Sequence, residues 1–113
     1  MIKVMWLLKR ADGLSLSEFR KWWLERHRHD VIAEQGPHLS KYIVNIRVDD
    51  ERELAGKPAS EPEWDGVAEQ WFETADDYNA VYAGDNRANR DDVLAHTSRF
   101  QRLVVTEHPQ TLR

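Results

Sequence analysis

The sequence predicts an α+β fold in the order strand, helix, strand, strand, helix, strand. Three observations predict it. A long amphipathic pattern runs from Gly13 to Pro37, with a start signal at one end and a stop signal at the other. Short apolar runs with strand character stand on both sides of it. A second, shorter helical pattern separates the third of these runs from the last. Elements in this βαββαβ order make the ferredoxin-like arrangement, a four-stranded antiparallel sheet with helices on one face.

Ile2 to Lys9 (IKVMWLLK) is short and apolar and carries an aromatic, which predicts a buried strand. Ala11-Asp12-Gly13 turns the chain into the long helix. Ser15 suits the N-cap, Glu18 can reach back to the Ser15 amide, and Leu14 with Phe19 can close as a hydrophobic staple. Gly36-Pro37 ends the pattern. Between these signals Leu16, Phe19, Trp23, His27, Val31 and Glu34 follow the spacing of one helix face. The upper part of that face is apolar. Then His27 stands where the pattern asks for Leu or Ile, with Asp30 further along.

Leu39 to Val48 alternates as a second strand. Tyr42, Val44, Ile46 and Val48 share one face; Lys41, Ile43, Asn45 and Arg47 share the other. Asp49 to Glu63 is polar, with two prolines and a glycine. It predicts an irregular connection that moves as a lid beside a pocket mouth. Trp64 to Glu73 is a third strand, entered by a turn at Asp65-Gly66. It carries Ala68, Gln70 and Phe72 on one face and Val67, Glu69 and Trp71 on the other. Thr74 with Asp77 opens a shorter helix bearing Tyr78, Val81 and Tyr82 and closed by Gly84. Asn86 to His96 has few apolar residues and predicts only a further helical turn or two. Phe100 to Glu107 is the last strand, and the tail beyond Pro109 is expected to fray.

A chain of 113 residues is expected to be one domain, spanning 1–113. It has 41% hydrophobic and 32% charged residues, ordinary for a soluble protein. No apolar run approaches the roughly 20 residues that a membrane span needs. The first ten residues are too short for a signal peptide, so the expected compartment is the cytoplasm. With no cysteine, disulfides and thiolate chemistry are excluded and a zinc cage is not expected. A net charge of −4 argues against a nucleic-acid partner. Arg20, Lys21, Arg26 and Arg28 interleave with Trp22 and Trp23, but at helical spacing most of these charges fall on a solvated face. His27 and His29 point about 200° apart on a helix and cannot grip one ion. His38 lies in a turn, and His96 and His108 stand alone in the sequence. No metal site is expected. The strands are apolar on both faces, while helices cover only one. A second copy packed sheet to sheet, with two-fold symmetry, is the expected cover.

The segments LLKRADGLSLSEFRKWWLERH, LSKYIVN and DGVAEQWF carry a resemblance. In order they hold Leu8-Lys9-Arg10, Gly13-Leu14-Ser15, Glu18-Phe19-Arg20, Trp23 with His27 four residues on, Tyr42-x-x-Asn45, and Asp65-Gly66-x-x-Glu69-x-Trp71-Phe72. This resembles the EthD family of dimeric α+β barrels from Ile2 to Phe72, with a weaker echo in the last strand. The resemblance implies a homodimer and a pocket between sheet and helices in each subunit. The wider group holds small enzymes that isomerise, cyclise, dehydrate or decarboxylate hydrophobic ring compounds, usually without a cofactor. It also holds cofactor-free and haem-dependent oxygenases and members of no known activity. The family's histidine falls on His27, its tyrosine on Tyr42 and its asparagine on Asn45. The chain is also similar to methylmuconolactone methylisomerases, which have a cysteine where this chain has Gln70. Thiol-assisted chemistry therefore does not carry over. Arg28-His29-Asp30 also replaces the Gly-Pro that often follows the histidine.

Strand parity adds its own expectation. His27 from the helix, Tyr42 and Gln70 from adjacent strands, and Trp6 from the first strand can meet in one apolar space. There an imidazole suits proton abstraction, since its ordinary pKa near 6.5 lies close to the working pH. Tyr42 and Gln70 can donate to an oxygen gaining charge. Asp30 can orient the ring. His27, Tyr42 and Gln70 are thus the expected catalytic residues, with Trp6, Trp23, Asp30, Asn45 and Phe72 contacting a small hydrophobic ligand. Asn45 has the opposite parity to Tyr42 and can instead serve the dimer interface. The competing reading of His27 and its neighbours is a polar core cluster that fixes helix against sheet. The expected function is a cofactor-independent isomerase, cyclase or lyase for a cyclic oxygenated compound. The alternatives are an oxygenase of the same fold, cofactor-free or with a haem on His27, and a ligand-binding protein without activity.

Overall fold

The alternation of the four strands sets the architecture. In the computed structural model, which describes residues 1–56, 60–84 and 87–112, the central strands are β1 (Ile2–Arg10) and β3 (Gly66–Phe72). The outer strands are β4 (Thr97–Val105) beside β1 and β2 (Lys41–Ile46) beside β3, and every pair is antiparallel. The order β2-β3-β1-β4 is the ferredoxin-like topology. Register places Val4 opposite Gln70, Trp6 opposite Ala68, and Tyr42 opposite Gln70. Because side chains alternate, Val4, Trp6, Leu8, Tyr42, Val44, Ala68, Gln70 and Phe72 share the face that meets the helices.

The long helical stretch is not one regular α-helix. It starts as predicted: the Ser15 hydroxyl accepts from the Glu18 amide at 3.0 Å, and Glu18 accepts from the Ser15 amide at 3.0 Å. Helix α1 (Leu16–Trp22) then passes into a π-helical turn, Trp23–His27, before α2 (Arg28–Gln35). The Arg28 amide reaches back five residues to the Trp23 carbonyl. That turn takes up one residue more than an α turn, so the buried position afterwards falls one residue later. Gln35 is buried and Glu34, expected on the inner face, is exposed.

Helix α3 (Ala75–Tyr82) is capped by Thr74, whose hydroxyl accepts from the Asp77 amide. Helix α4 (Arg87–His96) is a full ten-residue helix, longer than the predicted turn or two, whose first residue, Asn86, lies outside the described residues. Its apolar content is low because polar groups dock it. Asp92 accepts from the Trp22 indole N–H at 2.9 Å, and the Thr97 hydroxyl donates to the Val93 carbonyl at 2.8 Å.

Two clusters form the core. Leu8, Phe19, Trp22, Trp23 and Ala68 make one; Val4, Phe72 and Val81 make the other, and Trp6 packs against both. At the β2–β3 end Asp65 is fully buried. It takes an ion pair from Arg10 at 2.7 Å, the Arg10 amide at 2.9 Å and Arg47 Nε at 2.9 Å, while Glu61 bridges both arginines. Burial alone would raise its pKa, but the Arg47 hydrogen bond, the Arg10 amide and the surrounding cations hold it below the usual carboxylate range.

The far face of the sheet is less apolar than the sequence suggests. Met5, Leu7, Ile43 and Val67 are half-buried there. Among them Lys3 pairs with Glu69 at 2.7 Å, and the Lys3 and Lys41 ammonium groups sit over the Trp71 ring. β4 leaves Leu103 exposed on this face and Phe100 and Val104 exposed on the helix side. Among the described residues, no helix is long and apolar enough to cross a membrane.

Candidate active site

A cavity of about 290 Å³ lies between the helical layer and the sheet. Trp23, His27, Val31 and Gln35 wall it from the long helical stretch, and Trp6, Leu8, Tyr42, Ala68 and Gln70 from the sheet. Tyr82 enters from α3. The mouth belongs to α4 and β4, through Asn89, Arg90, Val93, Leu94 and Phe100.

Among the described residues of the loop 49–63, expected beside that mouth, none lines the cavity. Asp49 is tied to Arg20 and Glu61 to Arg10 and Arg47; residues 57–59 lie outside the described ones.

His27 is 8% exposed. Its ring lies parallel to the Trp22 indole, centroids 4.8 Å apart and planes at 15°, and the His96 ring stacks on the same indole at 4.6 Å and 7°. Nδ1 of His27 is buried without a hydrogen-bond partner among the described residues. Burial lowers its pKa; the charges of Asp92 and Asp30 and the Asn89 amide oppose that, and His96 adds to it. The net shift is downward, so the imidazole is neutral at pH 7 and has a lone pair to accept a proton.

Trp23 is fully buried, and its indole N–H, beside the Tyr42 hydroxyl, meets no partner in hydrogen-bond geometry among the described residues. The Tyr42 hydroxyl makes no hydrogen bond among the described residues. Burial raises its pKa, against the pull of the Trp23 N–H and the Arg28 charge, so it stays a neutral donor.

Gln70 belongs to a chain whose polarity is fixed at one end. An indole N–H can only donate. The Trp6 indole donates to the Tyr82 hydroxyl at 3.0 Å, that hydroxyl donates to the Gln70 carbonyl, and the Gln70 amide donates to the Gln35 carbonyl at 2.7 Å. Burial holds the Tyr82 pKa up at about 12. The Gln70 carbonyl and one of its N–H groups are therefore engaged within the wall, which leaves one N–H for an incoming oxygen.

Three expected contact residues are not on the wall. Asn45 points to the far face of the sheet, where its amide donates to the Val67 carbonyl at 3.0 Å and to Glu69 at 2.9 Å. Phe72 has the right parity but lies one step deeper along β3, buried edge-on against Tyr78 and Tyr82. Asp30 is half-exposed and makes no hydrogen bond to His27, so it acts on the ring only as a charge. The carboxylate nearest in function is Asp92, which reaches the site through Trp22. The sequence reading also missed Gln35, Asn89 and His96. Gln35 was displaced by the π turn, and the other two sit on a helix with too few apolar residues to show its inner face.

Haem does not fit this cavity. Even drug-sized ligands take pockets of roughly 300–1,000 Å³, and a porphyrin is larger than most of them. Among the described residues, no three His, Asp or Glu side chains are grouped to hold a metal ion.

Residues 11–101 match the family model of the EthD domain. The chain belongs to the EthD domain family. No curated protein sequence matches it. Among solved structures, this EthD domain is similar to an EthD family protein from Bacillus halodurans, at TM-score 0.69 and 15% identity, over 96% of this chain and 99% of that one. It is similar to a dimeric protein of unknown function with a ferredoxin-like fold from Bacteroides fragilis, at TM-score 0.60 and 15% identity, over 92% and 93%. It is also similar to SnoaB, a cofactor-independent oxygenase from Streptomyces nogalater, at TM-score 0.64 and 13% identity, over 98% and 95%. At these identities the likeness shows the fold alone, a ferredoxin-like α+β arrangement.

Proposed function

We propose that this EthD domain is a cofactor-independent enzyme that moves a proton on a hydrophobic, cyclic, oxygenated small molecule. One observation carries the reading. Trp23, His27 and Asn89 all line the same largely apolar cavity, and among the described residues Trp23 Nε1, His27 Nδ1 and Asn89 Oδ1 are buried with no partner in hydrogen-bond geometry. An unsatisfied buried group costs about 1–3 kcal/mol, and a small rotation of these side chains toward a ligand bearing a carbonyl and a polar substituent would satisfy them.

The chemistry follows from these groups. Neutral His27 takes a proton from the carbon beside a ring carbonyl, and the C–H electron pair moves onto the carbonyl oxygen. Tyr42 and Trp23 donate hydrogen bonds to that oxygen as it gains charge. The imidazolium then returns the proton at another ring position, which isomerises the ligand, or to a leaving oxygen, which makes the reaction an elimination. The likeness to SnoaB supports a second reading, in which the same anion reacts with dioxygen. The test is to incubate the protein in D2O with a panel of lactones, ring ketones and quinols. Exchange of the acidic C–H supports proton transfer, and oxygen uptake with an electrode favours the second reading. Binding without either would leave a ligand-binding protein.

The dimeric neighbour, the exposed Leu103 and the half-buried Met5, Leu7, Ile43 and Val67 support a homodimer that buries the far face of the sheet.

A further inference from the structure

We propose that Trp22 is a positioning residue of this site: the face of its indole carries the imidazolium that His27 becomes when it takes a proton. The inference rests on His27 being the base, but its test needs no turnover. A cation within about 6 Å of a tryptophan face is drawn to the ring's quadrupole, more strongly where water is excluded. The His27 ring lies 4.8 Å from the indole centroid, nearly parallel to it. Both residues are under a tenth exposed. A neutral imidazole gains little from that face and an imidazolium gains much, so the stack favours the protonated ring where burial favours the neutral one.

Two features build the contact. Residues five apart on an α-helix point about 140° from each other and cannot stack. The π turn from Trp23 to His27 closes that angle and brings positions 22 and 27 together. Asp92 then holds the indole through its N–H at 2.9 Å, and a carboxylate on that N–H pushes electron density into the ring. Other groups face His27 as well. Asp30 on its own helix and Asp92 on α4 favour the imidazolium, as does the Asn89 amide, and His96 when charged opposes it. Arg90 lines the same cavity as a further cation, while Tyr42 and Tyr82 remain neutral. His96 stacks on the same indole with its Nδ1–H donated to the Asp92 carbonyl at 2.7 Å, so Trp22 links two imidazoles to one carboxylate.

The experiment is an NMR titration of the His27 ring in wild type, Trp22→Phe and Trp22→Leu, with His27→Gln used for assignment. In wild type, the indole ring current moves the His27 ring protons upfield. In Trp22→Leu the His27 titration moves to lower pH by about one pH unit, and in Trp22→Phe by less. Both variants lose the bond to Asp92, so their difference isolates the aromatic face. Identical titrations in the two variants would overturn the proposal. If Trp22→Leu fails to fold, Trp22→Met takes its place, and a Trp22→Met titration identical to that of Trp22→Phe overturns the proposal equally. A shifted titration together with full turnover by His27→Gln would uphold the stack and remove His27 as the base.

Discussion

A methyl group on Gly66 would meet the indole of Trp23: a Cβ there lies 2.5 Å from Trp23 Cζ3 and 2.8 Å from the Asn45 carbonyl oxygen. The first residue of β3 is bare so that the tryptophan can lie against it. Trp23 is both core and cavity wall, which couples fold to site. Gly66→Ala must displace either the ring or the strand. Overpacking of this kind costs about 1–3 kcal/mol. Urea unfolding should show the loss, and ligand binding should weaken with it; an unchanged midpoint would mean that the strand yields freely.

Asp65 anchors three strand ends at once. Removing one partner of a buried ion pair costs about 3–5 kcal/mol, and Asp65→Ala is expected in that range. The sign of its pH dependence follows from its depressed folded-state pKa. The stabilisation is fully present above the unfolded value, near 3.9, and is lost as pH falls through the folded value. The wild type should therefore lose stability on acidification below about pH 4–5, and Asp65→Asn should lose less over the same range. Parallel acid curves for the two proteins would exclude this origin.

Tyr82→Phe breaks the polar chain in its middle. The Trp6 N–H and the Gln70 carbonyl both lose their partner, at a cost of about 1–3 kcal/mol. With a pKa of about 12, Tyr82 should not ionise where ordinary tyrosines do. A spectrophotometric titration of wild type against Tyr82→Phe checks this: the difference should be absent at pH 10 and grow above it.

The strands were legible because period-two alternation and the turn residues agree. The start of the long helix was legible because Ser15 and Glu18 form a complete capping box. The π turn was not, because nothing in WWLERH distinguishes five residues per backbone link from four. Its consequences were hidden with it: Gln35 in place of Glu34, and Trp22 beside His27. Helix α4 was underestimated because Asp92, Asn89 and His96 share its inner face with Val93, which leaves too few aliphatic side chains to mark that face. Parity correctly put Trp6, Tyr42 and Gln70 on the side of His27 and set Asn45 apart. It says nothing of depth along a strand, and so Phe72 was expected one step too near the cavity.

The apolar residues of the sheet's far face, with the exposed Leu103 of β4 among them, predict a dimer. Light scattering at micromolar concentration should give about twice the 13.3 kDa chain mass. A monomer mass would leave Leu103 and its far-face neighbours Met5, Leu7, Ile43 and Val67 without the cover proposed here.

Solvent exchange by the His27→Gln variant tests the base assignment most directly. Wild type and variant are incubated in D2O with 2-tetralone or a butenolide, and NMR follows loss of the C–H signal beside the carbonyl. Removing a general base typically costs about 10²- to 10⁴-fold in rate. Wild-type protein should catalyse the exchange, with an acid limb below the ordinary histidine range. The variant should remain folded, bind the same ligand and exchange it slower by that factor. A folded His27→Gln protein that exchanges at the wild-type rate would contradict the assignment.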